Sequence, residues 1–529
     1  MNYATVIFLI SLLATVCIYF IIPKKLQWYV LLAASLMFYV LSCGMRVIFL
    51  LLAAAVLYAS SLIMERLDAG FAARKKVLDR DERKALKKKT QRRKKAAVFA
   101  SVLLTLLMLI GTKYLNFLGD IVNDICSLTG YGAPVPALKI LMPLGISYYT
   151  LMGISFITDR YRGTIDHYKN PLMLLLYLCY FPHIVEGPFD RYDSLCRQFK
   201  APHYFDYDNI KNGGIRFVWG IFKKVVIADR AGLIVNTIFA DTSAYSGSVQ
   251  LFAVILYTLQ IYAEFSGCMD MVCGASQMFG IRIAENFRRP FFSASINEFW
   301  RRWHITLGSW LKDYVFYPVS LSGHFKKLNS MLRKHISSKH MLTLLPNAYA
   351  LFFVWFCNGL WHGASVKYIV YGLYYYVLMM LGLLLKPVTA RVLAALHIPG
   401  ESRGYHAFEV IRTCVIVCFG MMIFRSETLG QAWDIFSDIF TDFGASELFS
   451  GALLFEGISG WDHLILAVAS LILLAVSILQ EKNIPLRDTL QRQMLPVRWT
   501  VYLVLLFSII IFGAYGGDFT NTTFIYGEF

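Results

Sequence analysis

Solid apolar runs of membrane-spanning length recur along this chain, and they constrain its fold more than any other feature. They lie near 3–22, 27–42, 46–63, 97–117, 139–158, 171–185, 248–281, 343–360, 366–386, 407–424, 461–479 and 499–515. The run at 248–281 is long enough for two crossings. A bilayer core takes about 20 helical residues. Barrel strands alternate rather than run solid, so a β-barrel is excluded. Only 16% of the 529 residues are charged, against roughly a quarter in soluble domains. The 57% hydrophobic content rules out disorder. The expected fold class is an all-α polytopic membrane protein, with about 10–12 transmembrane helices plus re-entrant or interfacial ones.

The charge is concentrated. Arg74 to Lys95 holds 13 Lys or Arg against three acids, a net +10 of the chain's +17. Without a folded soluble module beside it, this patch does not indicate nucleic-acid binding. The positive-inside rule makes 64–96 a cytoplasmic loop, with a secondary role on anionic headgroups open to it. Helix 46–63 then runs inward and 27–42 outward. The loop with Lys24 and Lys25 is cytoplasmic and the N-terminus lies outside. A second basic loop, Lys326 to Lys339, is also expected in the cytoplasm. The first residues carry no Lys or Arg and no small-x-small site follows, so 3–22 reads as a retained helix. The ten Cys are scattered and suggest neither a metal site nor a disulfide framework. The stretch 430–460, with Asp434, Asp438 and Asp442 four residues apart, reads as an external loop with short amphipathic pieces.

Polar groups at membrane depth are costly and mark functional candidates. Pro143 and Gly145 interrupt one apolar run, either to line a cavity or as a simple kink. In Phe181–Arg191, His183, Glu186, Asp190 and Arg191 make either a paired gate or an interfacial turn. In 293–314, helical spacing puts Asn297, Trp300, His304, Leu307 and Leu311 on one face. Arg301 and Trp303 flank that face, and Glu298 and Arg302 can neutralise one another. Such a helix is too polar to cross lipid alone and is expected to be interfacial or re-entrant. In Trp355–Gly363, Asn358 and His362 are four apart, with Trp361 between. Gly363 is expected to cap that helix in the left-handed conformation. A neutral imidazole at a helix C-terminus can take a proton from a hydroxyl, and the helix end favours the imidazolium that forms.

At these residues the sequence resembles the membrane-bound O-acyltransferases, in the bacterial branch that contains alginate O-acetylases and D-alanyl-lipoteichoic acid transferases. The resemblance rests on Met142–Gly163, Tyr180–Tyr192, Gly220–Asp229, Glu264–Gly267 with Asp270, Asn286–Tyr317 and Asn358–Ser365. Trp300-Arg-Arg-Trp-His304 and Trp361-His-Gly363 are its most specific parts. Glu264 stands where relatives are expected to carry Asp, which keeps the carboxylate. The resemblance implies a ring of helices around a central tunnel, where a cytoplasmic thioester and an external acceptor approach one another. It makes His362 the family's invariant histidine and His304 its second polar position. It divides the chain into N-terminal helices (1–140), a catalytic core (141–387) and C-terminal helices (388–529). The implied activity is O-acylation, with acetyl favoured, of an exported cell-envelope polysaccharide. Acetyl-CoA is the implied donor, no cofactor is permanently bound, and an extracytoplasmic partner protein accepts the acyl group. One alternative is D-alanyl transfer to teichoic acid from a carrier-protein thioester. The other is a secondary transporter using His304 and His362 as substrate or proton ligands.

Overall fold

A computed structural model describes residues 3–130, 132, 135–165, 169–451, 453–454 and 458–514. Residues 452 and 455–457 of the expected external loop, and the end of the C-terminal region, lie outside these. The helices in chain order are α1 (Val6–Ile21), α2 (Gln27–Cys43), α3 (Val47–Arg74), α4 (Arg80–Leu109), α5 (Leu115–Leu128), α6 (Ile146–Arg162), α7 (Pro171–Cys179), α8 (Tyr192–Lys200), α9 (Tyr207–Phe222), α10 (Asp229–Ala240) and α11 (Gly247–Met278). They continue with α12 (Ile296–Arg302), α13 (Ile305–Leu311), α14 (Tyr317–Ser320), α15 (Gly323–His335), α16 (Lys339–His362), α17 (Val366–Ala395), α18 (Arg403–Arg425), α19 (Leu429–Thr441), α20 (Gly460–Glu481), α21 (Leu486–Gln491) and α22 (Leu495–Phe512). Among the described residues, eight helical stretches are long and apolar enough to cross a membrane. Two of these, Lys24–Arg74 and Arg80–Leu128, each join more than one helix. The protein is a multi-pass, all-α membrane protein.

Three apolar runs behave differently from their hydropathy. The run at 171–185 yields only the nine-residue α7, because Pro182 cannot continue the helix. The run at 139–158 becomes helical only from Ile146. Gly145 there is left-handed, with φ 66°, and a Cβ on it would stand 2.3 Å from the Ile184 carbonyl oxygen. The run at 248–281 is one long helix rather than two spans.

The chain forms two compact units, 1–213 with 275–284, and 214–274 with 285–529. In the first, α2, α3, α4, α6 and α7 pack together. Burial in lipid gives little hydrophobic drive, so close approach matters more. Gly153 of α6 would carry a Cβ only 2.5 Å from Leu57 of α3. The basic segment expected as a loop is a helical hairpin instead. Lys, Arg and Ala favour helix. Asp79 and Glu82 form a capping box that starts α4. Asp68 of α3 pairs with Lys94 of α4 at 2.9 Å and with Arg160 at 3.4 Å.

In the second unit, α16 and α17 form the most extensive helix pair. A Cβ on Gly359 would stand 2.4 Å from the Tyr368 carbonyl oxygen, and one on Gly372 2.4 Å from that of Trp355. These glycines let the two backbones touch, and they set the position of the helix face that carries Asn358 and His362. Before α11, the π-helical turn Lys223–Ala228 buries two lysines. Lys223 pairs with Asp270 at 2.7 Å, and Lys224 with Asp229 at 2.7 Å and Glu264 at 3.2 Å. A buried ammonium survives only with such partners.

Candidate active site

The segment 293–314 does not form one helix. Ser295 caps α12 by accepting from the Glu298 amide. The chain breaks at Trp303 and His304, and α13 starts at Ile305. His304 is left-handed, with φ 48° and ψ 50°, a conformation that costs a non-glycine residue about 1–2 kcal/mol. The preceding loop offsets this. The Arg288 amide donates to the Arg302 carbonyl at 2.9 Å, and the Ile305 amide to the Asn286 carbonyl at 3.0 Å. Helical spacing could not anticipate this break, because the partners lie outside the segment.

The Asn286 side chain settles the imidazole. Its amide oxygen accepts from the Thr306 amide at 3.0 Å and the Thr306 hydroxyl at 2.9 Å, while its Nδ2 donates to the Met269 sulfur at 3.3 Å. A backbone N–H can only donate, so the atom facing Thr306 is oxygen. That same oxygen lies 3.2 Å from His304 Nδ1. Nδ1 must therefore carry the proton, which leaves the basic lone pair on Nε2. Burial also pushes the imidazolium down to about 3, so the ring is neutral at neutral pH. Phe265 meets it edge-on at 4.8 Å.

Around His304 lies a cavity of about 500 Å³, lined also by Asn297, Trp300, Arg301, Trp303 and Asn358. The break in the helix therefore keeps the expected residues together, by a route other than a shared helical face. Two polar atoms of lining residues, Asn358 Nδ2 and Trp300 Nε1, have no hydrogen-bond partner among the described residues. Trp300 also packs on Trp355 at 5.1 Å and Tyr375 at 4.8 Å. Arg301 and Lys312 supply the cationic side chains of the lining.

His362 ends α16 and is buried, one turn beyond Asn358. Gly363 after it is extended, with φ 178°, not left-handed. A Cβ there would meet the Tyr368 ring at 2.2 Å, so close packing rather than a left-handed cap calls for glycine. The Trp361 ring centroid lies 5.5 Å from that of His304 and 4.9 Å from that of His362. One indole thus neighbours both imidazoles. Tyr371 at 5.6 Å and Phe424 at 5.2 Å complete the aromatic wall around His362.

Arg302 does not line the cavity. It pairs with Glu298 at 2.6 Å and with Glu481 of α20 at 3.0 Å, and Arg289 pairs with Glu481 at 2.6 Å. Glu186 and Asp190 belong to the first unit. Asp190 accepts from the Ala284 amide at 3.2 Å, and its carbonyl accepts from the Tyr177 hydroxyl at 2.9 Å. Burial pushes its carboxyl up to about 7. Sequence reasoning missed Asn286, Thr306, Glu481 and Arg289, since a loop asparagine or a distant glutamate carries no spacing signal.

Residues 138–333 match the membrane-bound O-acyltransferase family. This part of the chain belongs to that family. A protein of Pseudomonas aeruginosa named "Probable alginate O-acetylase" is 34% identical over 376 residues, 71% of this chain. The peptidoglycan O-acetyltransferase of Helicobacter pylori is 31% identical over 262 residues, 45% of this chain, and the teichoic acid D-alanyltransferase of Bacillus subtilis 29% over 298, 55% of this chain. The matched part spans 65% of the Pseudomonas protein's own length, 46% of the Helicobacter protein's and 71% of the Bacillus protein's. The membrane-bound O-acyltransferase match covers the cavity's α12–α13 wall and stops before His362. The longer alignments to the relatives extend the likeness beyond it.

Proposed function

We propose that this chain is a membrane O-acyltransferase that passes an acyl group, acetyl in the first instance, from a cytoplasmic thioester to an exported cell-envelope polysaccharide. One observation carries the reading. A neutral histidine of fixed tautomer, His304, shares a cavity with Asn358, and Trp361 packs against both His304 and His362. The likeness to O-acetyltransferases supports acetyl as the group moved.

The chemistry follows from these groups. The His362 imidazole takes the proton of the attacking hydroxyl, on the acceptor or on an extracytoplasmic partner protein, as its oxygen bonds to the thioester carbonyl carbon. The carbonyl oxygen gains negative charge, and Asn358 Nδ2 and Trp300 Nε1 are the donors available to it. The C–S bond then breaks and the thiolate takes the proton back from the imidazolium. His304, through Nε2, holds the donor or shares the proton. Arg301 and Lys312 suit the phosphates of acetyl-CoA. The lining around Trp300, Trp303 and Trp355 is largely apolar, which disfavours water beside a bound thioester. Glu186 and Asp190 are supporting polar groups of the first unit.

The test is labelled acetyl transfer in purified membranes. Acetyl-CoA, a D-alanyl carrier thioester and a no-donor control are offered in turn, and the envelope polymer is hydrolysed for mass spectrometry. Acetyl incorporation that is lost in His362→Ala supports the reading. D-alanyl incorporation alone would replace the substrate but keep the chemistry. Neither product, with substrate moving across the membrane, would favour a transporter.

A further inference from the structure

The helix α19 (Leu429–Thr441) presents three separate faces. At 100° per residue, Ala432, Ile435 and Ile439 form one stripe and are buried. Trp433, Phe436 and Phe440 fall within about 60° of each other and are exposed, at 67%, 37% and 69%. Their rings adjoin along the helix, Trp433 stacked on Phe436 at 5.8 Å and Phe436 tilted against Phe440 at 5.1 Å. Asp434, Ser437, Asp438 and Thr441 make the third stripe.

The protein fixes where this helix lies. Gln250 near the start of α11 donates to the Asp438 carboxylate at 3.0 Å. The Gly247 amide donates to the Asp442 carbonyl, and the Ser248 amide to that of Phe443, each at 2.8 Å. Gln431 donates to the Phe239 carbonyl at 2.9 Å. The spanning helix α18 ends at Arg425, only four residues before α19, and α20 starts at Gly460. These helix ends put α19 at one membrane boundary. The direction of its aromatic stripe is set by Phe419. That ring lies six residues back from Arg425, about 9 Å into the span, and its centroid is 5.5 Å from that of Phe436. The stripe thus points toward the membrane, and the acidic stripe turns away from it.

We infer that α19 is an in-plane helix that seats Trp433, Phe436 and Phe440 among the lipid headgroups and upper acyl chains. Aromatic side chains favour that depth, and an acidic stripe on the opposite flank suits water. The occupant of this face is lipid rather than a protein partner, because the stripe is continuous with the surface of a spanning helix. The inference rests on the membrane architecture alone and does not depend on the proposed chemistry.

The test places the photo-crosslinker p-benzoylphenylalanine singly at 433, 440, 434 and 441 of the full-length protein in its native membrane. Position 411, an exposed residue of α18, serves as the lipid-facing reference. Irradiation at 433 and 440 should give phospholipid adducts comparable to those at 411, and several-fold more than at 434 and 441. Adducts to another protein at 433 or 440 would overturn the proposal. So would equal lipid labelling on the two faces, or none at 433 and 440 while 411 reacts.

Discussion

The oxygen of Asn286 decides which nitrogen of His304 is basic, and two variants separate that role from simple packing. Asn286→Ala should lower acyl transfer by roughly tenfold or more, since a ring free to take either tautomer presents the wrong nitrogen part of the time. Asn286→Asp keeps the acceptor oxygens but adds a negative charge beside Nδ1. An opposite charge raises a histidine pKa by about 1–3 units, so the His304 titration profile, followed by NMR of the labelled ring, should move up from about 3. A profile that does not move would remove Asn286 from control of the ring. His362 poses a plainer test. His362→Ala should insert and accumulate normally, yet acyl transfer should fall by about 10²-fold or more, the scale of losing a general base. Wild-type transfer by that variant, measured per membrane protein, would defeat the assignment. The spacing of Asn358 and His362 was legible in the sequence because both lie on one helix. Asn286 was not, because it meets His304 from a loop 18 residues earlier.

Among the elements, the broken pair α12–α13 is the one whose geometry depends most on distant partners. Glu481 at the end of α20 receives Arg302 and Arg289 together, which ties the cavity wall to a spanning helix. Arg302→Ala should therefore lower thermal stability in detergent by about 1 kcal/mol, since the pair is partly exposed and only part of its Coulomb energy survives. Arg301→Ala should leave stability unchanged and weaken donor binding, because Arg301 lines the cavity. Equal loss of stability in both variants would mean that the two arginines are not divided in this way. The ion pair of Glu298 and Arg302 could be read from their spacing, whereas Glu481 lies 179 residues from Arg302 and gives no local signal. The apolar runs misled where proline and glycine stop a helix inside an apolar stretch, at 171–185 and before Ile146. Hydropathy reports what can enter lipid, and it says little about whether a segment stays helical once protein surrounds it.

At the scale of the molecule, burial of His304 links the second unit's stability to pH. Its imidazolium is held down to about 3 in the folded chain, against about 6.5 in an unfolded one. The unfolded state binds the proton first, so stability is complete above about 6.5 and falls as pH drops from there toward 3. Replacing His304 with Gln should flatten that slope in melting curves taken across the window, and an unchanged slope would place the titration elsewhere.

Orientation is the remaining global property, and the basic hairpin governs it. The rule that positive charge stays in the cytoplasm acts on residues close to the ends of spans, and 13 basic residues lie between Arg74 and Lys95 at the tip of α3 and α4. Folding this segment into a capped hairpin rather than a loose loop keeps the charge together. Moving +10 through the bilayer would cost far more than inverting any other connection of the chain. We therefore expect the hairpin and the basic α15 on the cytoplasmic side, and the first described residues and α19 on the other. A cysteine introduced at Ala85, which is exposed near the start of α4, should resist an impermeant maleimide in intact cells and react once the membrane is opened. Each of the ten native cysteines is left in place, and the parent protein supplies the background. A cysteine at Asp434 should show the reverse, reacting in intact cells. If Ala85→Cys labels from outside and Asp434→Cys does not, the whole map inverts, and the thioester donor would have to arrive from the opposite face of the membrane.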